Sequence, residues 1–171
     1  MSKRDLKKYL SELTQAQIQE QILELYVKFP EVKNYYDFVF NPNEEKLLQE
    51  AKVKISNEYF PVKTKRAKLR RSTAQKIIKH FITLGVDAFV VADLMLYSIE
   101  IAQVYSSSTK VVNEAFFKSF LNSFHQTVRF MIEKGILLDF KNRLEKISKE
   151  AYSQKWYNKA EFSAVLERML Y

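Results

Sequence analysis

Two glycines, Gly85 and Gly135, and three prolines, Pro30, Pro42 and Pro61, are all the strong chain breakers in 171 residues. Tight β-hairpin turns need residues that accept a positive φ, so so few glycines leave few places for hairpins. Leu, Ile, Lys, Glu and Gln are abundant, and the chain therefore reads as all-α. Thirteen Phe, ten Tyr and one Trp supply much of a core. A chain of this length suits one domain that buries about two thirds of its unfolded surface.

Helix signals recur along the chain. Ser2 is placed to cap a first helix carrying Leu6, Tyr9, Leu10 and Leu13 on one face. Thr14, with Gln17 three residues on, caps a second through Ile18, Ile22, Leu25, Tyr26 and Phe29. These two are expected to pair as a hairpin. Tyr35 to Phe40, between Pro30 and Pro42, alternates like a strand; with no partner strand in sight, it is read as an irregular or helical segment inserting aromatics into the core. A third long helix runs from Asn43 through Leu47, Leu48, Ala51 and Ile55 to Tyr59, stopped by Pro61. Ser72 with Gln75 starts the next, and Gly85 ends it as a left-handed cap.

Asp87 then caps the segment from Ala88 to Tyr105, which is apolar except along Asp93, Tyr97, Glu100 and Gln103. Three acids make it costly as a membrane span, so it is read as the central core helix. Ser106 to Thr109 is read as a linker, with a lobe boundary near 106–110. Phe116, Phe117, Phe120 and Phe124 then form a core stripe ending at Gly135. The last helix is capped by Asn158 with Glu161. The whole is expected to be a single domain over 1–171, with about eight antiparallel packed helices in a bundle or short α-α superhelix.

Charge is distributed unevenly. From Tyr59 to Val86 there are eight basic residues and no acid, whereas elsewhere basic and acidic side chains balance; the net charge of +8 comes from this stretch. A cationic arm running into a helix N-terminus, itself partly positive, calls for something negative nearby. One reading is an anion site in which Lys63, Lys65, Arg66, Lys68, Arg70, Arg71, Lys76 and Lys79 contact phosphates, helped by the backbone near Ser72. The other is a solvated loop neutralised by acids of the fold such as Glu44, Glu45, Asp93 or Glu100.

Chemistry is otherwise sparse. Without cysteine there are no disulfides or thiolate nucleophiles. His80 lies in the basic patch, and His125 shares a cationic face with Lys118, Asn122 and Arg129; neither has metal-site spacing. No phosphate loop or nucleophile elbow is present, so no catalytic residue, metal or cofactor is expected. Asp93 and Glu100 fall on one side of their helix and are read as structural partners of the basic patch. The charged N-terminus lacks a signal-peptide pattern, which predicts a cytoplasmic protein.

Four phrases, Ser2-Lys-Arg-Asp-Leu-Lys-Lys-Tyr-Leu10, Tyr36-Asp-Phe-Val-Phe-Asn-Pro-Asn43, Ile55-Ser-Asn-Glu-Tyr-Phe-Pro61 and Arg71-Ser-Thr-Ala-Gln-Lys76, resemble a bacterial family of domains of unknown function. The resemblance spans most of the chain. It implies a small, all-helical cytoplasmic protein and brings no activity, cofactor or partner. The expectation is a non-enzymatic interaction protein with no membrane association, whose arm engages an acidic partner, a nucleic-acid backbone first and an acidic protein second. The alternative is a protein-protein scaffold whose helical grooves bind a peptide or partner helix.

Overall fold

A computed structural model describes residues 2–63 and 66–170, with side chains as far as residue 168. Among the described residues there are nine α-helices, one short 3-10 turn and no strand. They run α1 (Lys3–Ser11), α2 (Gln15–Lys28), α3 (Pro30–Phe40), α4 (Glu44–Ser56), α5 (Arg71–Leu84), α6 (Ala88–Ser108), α7 (Glu114–Lys134), a turn at Leu138–Phe140, α8 (Lys141–Ser153) and α9 (Lys159–Leu170). Two compact units divide at the Asn43–Glu44 bond.

The first unit is held together locally. Ser2 and Thr14 form the expected capping boxes, with Asp5 and Gln17 returning the hydrogen bond. The extensive helix pairing in this unit is α2 with α3, not the expected α1 with α2. The Tyr26 hydroxyl donates to Asp37 Oδ1 across that pair at 2.7 Å. The segment from Tyr35 to Phe40 is helical, and its aromatics do not enter a core: Tyr35 and Phe40 are exposed and no residue of α1, α2 or α3 is buried. Tyr36 instead lies against its neighbours, stacked on Phe40 at 6.1 Å and edge-on to Tyr35.

The second unit is built round α6, which packs on α4, α5, α7 and α8. Among the described residues α6 is the one helix long and apolar enough to cross a membrane, and half of that stretch is buried inside the protein. Val91, Leu94, Leu96, Ile99 and Ala102 are essentially inaccessible. The expected stripe of α7 meets them, with Phe116, Phe120 and Phe124 buried and Phe117 half-buried. Phe124 also contacts Phe162 of α9 at 5.1 Å. Ser106 to Ser108, expected as a linker, form the last turn of α6; each hydroxyl donates to the carbonyl three residues back, as helical serines can.

Both glycines take the left-handed conformation expected of helix C-caps, with φ of 76° at Gly85 and 72° at Gly135. Asp87 caps α6 by accepting from the Phe89 N–H at 2.8 Å. Asn158 does not cap as expected: its Oδ1 is buried without a hydrogen-bond partner among the described residues, and its amide N–H donates to the Phe117 carbonyl at 3.1 Å, tying the start of α9 to α7.

Candidate anion-binding arm and groove

Glu58 organises the start of the arm. The third long helix was expected to reach Tyr59, yet α4 stops at Ser56 and the chain turns. The turn leaves the Glu58 carbonyl available to accept from the backbone N–H groups of Lys68 and Leu69, at 2.9 and 3.0 Å. Leu69 adopts a φ of 53°, a left-handed conformation unusual for a branched aliphatic residue. The strained bend is held by these two hydrogen bonds.

The Glu58 side chain meets the other end of the same segment. Its buried carboxylate accepts from Arg70 Nε at 3.0 Å and Nη2 at 2.9 Å, and from the Thr73 hydroxyl at 3.1 Å. The hydrogen bonds from Arg70 lead in holding the Glu58 carboxyl below its ordinary range, and they outweigh burial. The same pairing raises the Arg70 guanidinium. An anion therefore does sit in the first turn of α5, supplied by the residue immediately before the acid-free stretch.

This contact displaces the expected capping box. Arg70, not Ser72, is the N-cap residue of α5 and makes no side-chain capping bond. Ser72 lies one residue inside the helix and is exposed. Three of the four acids expected to neutralise the arm, Glu44, Asp93 and Glu100, are engaged elsewhere. Glu44 accepts from the Asp87 N–H at 2.9 Å. Asp93 pairs with Lys52 of α4 at 2.6 Å and with Arg143 of α8, while Glu100 takes Arg143 in two bonds of 2.6 and 2.7 Å. Asp93 and Glu100 do share a side of α6, but their cations come from α4 and α8, not from the basic patch.

The nine arm residues consequently separate. Arg70 is spent on Glu58. Arg71 turns inward, its Nε donating to Ser123 Oγ of α7 at 2.7 Å. Lys63, Lys68, Lys76 and Lys79 are exposed and make no ion pair among the described residues. Arg66 is exposed too. Lys65 lies outside the described residues. His80 and His125 are exposed, and among the described residues no three His, Asp or Glu side chains gather where a metal could bind.

Behind the arm, α5, α6 and α7 enclose a groove of about 510 Å³. Ala74, Ile78, Ile82, Met95 and Phe130 form its apolar wall, with Arg71, Ser98, Ser123 and Thr127 among its polar lining. Reading the helices one at a time does not reveal this groove. Ile82 belongs to the apolar face of α5, and only packing shows that it stays half-exposed beside Phe130.

The fold and this arm define an all-helical protein with a cationic segment latched by one internal carboxylate. The chain belongs to a family of unknown function, DUF6155, whose model matches residues 1–170. No curated protein and no solved structure matches the chain.

Proposed function

We propose that this is a helical interaction protein, without a catalytic centre of its own, whose exposed lysines on the arm and on α5 contact the phosphate backbone of a nucleic acid. One observation carries the reading: Lys63, Lys68, Lys76 and Lys79 are exposed without an ion pair among the described residues, while of the two carboxylates that flank the stretch Glu58 is buried and engaged by Arg70 and Asp87 caps α6. Cations left in water with no counter-charge from the fold attract polyanions and release their counterions. Arg70 shapes the arm and contributes no phosphate contact.

Binding is dominated by the backbone and weakly selective for sequence, because the apolar face of α5 is used against α6 and α4 and the helix is not available to enter a major groove. A cytoplasmic location accords with such a partner. The test is fluorescence anisotropy with labelled duplex DNA, single-stranded DNA and RNA over a salt series, compared with a Lys68→Ser, Lys76→Ser, Lys79→Ser variant. Four phosphate contacts give a log-log salt slope of about −3.6 on duplex, and losing three of them leaves about −0.9. Absence of binding near about 50 mM salt, where such contacts are strong, overturns the reading. The search then passes to protein partners, for which the exposed Leu23 and Val27 of α2 offer apolar surface.

A further inference from the structure

The groove between α5, α6 and α7 has a chemistry unlike that of the exposed arm. Its cations differ in their circumstances. Arg129 is paired within its own helix with Glu133 at 2.8 Å, and Lys79 sits exposed at the rim. Arg71 is half-buried, has no carboxylate within ion-pair distance among the described residues, and has its Nη2 buried with no hydrogen-bond partner among them. Burial pulls its guanidinium below the ordinary arginine range, the mark of a charge removed from water without a counter-ion. Leaving such a charge without a counter-ion is costly, and an anion held in the groove beside the guanidinium offsets that cost.

The remainder of the groove selects what the anion is attached to. The Ser98 hydroxyl donates to the Met95 carbonyl at 2.7 Å and that of Thr127 to the Ser123 carbonyl at 2.8 Å. Having spent their protons, both oxygens can only accept and would repel a second anionic group deeper in. Around them the wall is aliphatic and aromatic. A volume of about 510 Å³ lies within the range of small-molecule sites and holds one compact ligand. Arg71 Nε is taken by Ser123 and Nη2 is out of reach of solvent, so a carboxylate in the groove meets the guanidinium at Nη1 through a charge-assisted hydrogen bond.

We propose that this groove is a binding site for a small monocarboxylate with an apolar body, its carboxylate paired with Arg71 and its body lying against Ala74, Ile78, Ile82, Met95 and Phe130. Lys79 borders the groove and is shared with the lysines proposed to meet nucleic acid, but the carboxylate is assigned to Arg71, so either proposal can fail without the other.

Phenylbutyrate and its neutral isostere phenylbutyramide, titrated into the full-length protein and followed by amide proton–nitrogen correlation spectra, test it. The expected result is saturable shifts at Ala74, Ile78 and Thr127, with the carboxylate binding at least about tenfold more tightly than the amide. Arg71→Gln should abolish that preference while leaving the amide's affinity unchanged. Ile82→Trp, at a half-exposed position on the groove wall, should block both probes. Should Arg71→Gln fail to fold, the wild-type comparison and Ile82→Trp still decide. Equal affinity for the two probes, shifts confined to Lys63, Lys68 and Lys76, or no saturation by about 10 mM overturns the proposal.

Discussion

Glu58 and Arg70 close the arm as a two-bond carboxylate–guanidinium pair, with the buried carboxylate giving one oxygen to Nε at 3.0 Å and the other to Nη2 at 2.9 Å. The same acid holds the bend at Leu69 through its backbone, so one residue fixes both the path of the arm and the start of α5.

Replacing Glu58 by Gln removes the charge and keeps the shape. A buried hydrogen bond to a charged partner is lost, and the expected cost is about 2 kcal/mol at neutral pH. The folded carboxyl titrates below its ordinary value of 4.5, so its contribution is complete above that value and is lost as pH falls through the depressed folded value. Urea unfolding at neutral and acid pH should show the wild type converging on Glu58→Gln as pH falls below 4.5 and through the depressed folded value. A difference between the two proteins that does not change with pH would refute this role.

Arg143 joins α8 to α6 by serving two acids at once, Asp93 and Glu100, and both pairings raise its guanidinium above the ordinary arginine range. Burial pushes Asp93 up, but hydrogen bonds from Lys52 and Arg143 together outweigh it and hold the carboxyl below its usual range. Arg143→Met leaves Glu100 without its cation and Asp93 with Lys52 alone, which should cost about 3 kcal/mol by urea denaturation. Arg143→Lys should recover less than half of the loss, because one ammonium cannot reproduce a fork spread over two carboxylates.

At Gly85 a Cβ would meet no atom within 4 Å, so any cost of substitution arises from the backbone alone. With φ at 76°, Gly85→Ala should lower stability by about 1 kcal/mol, and Gly85→Asn by less, since Asn tolerates this conformation. Thermal unfolding of the two variants checks the order.

Phenylalanines of the two units should behave differently. Phe124 is fully buried, and Phe124→Ala should cost about 4 kcal/mol. Phe40 is 74 % exposed, so Phe40→Ala should stay within about 0.5 kcal/mol despite the stack on Tyr36. A large loss at Phe40 would mean that α3 is covered by something further.

Local rules were enough wherever an element's end depends on its own neighbours. The Ser2 and Thr14 capping boxes, the Asp87 cap, the glycine ends of α5 and α7, and the phenylalanine stripe of α7 all follow from residues within one or two turns of one another. They failed where a distant residue competed for the same group. Ser72 has the spacing of a capping box with Gln75, yet Glu58, Arg70 and Thr73 arrange that helix start. Asn158 resembles a cap, but its side chain is turned to donate to the Phe117 carbonyl, 41 residues away, and its Oδ1 accepts no bond from the start of α9 among the described residues. The aromatics of α3 promised a core because aromatic residues usually build one, and their exposure depends on what packs beside them.

What the sequence determined by itself is therefore the all-helical class, most helix positions and the concentration of positive charge in one stretch, all consequences of short-range backbone preference and composition. Tertiary structure alone decided which charges are spent. Arg70 and Arg71 are neighbours with the same functional group, but one closes on Glu58 and the other turns beneath α5 toward Ser123, leaving the lysines in water. Pairing of charges depends on distances of a few ångströms between segments far apart in the chain, and those distances exist only after the helices have packed.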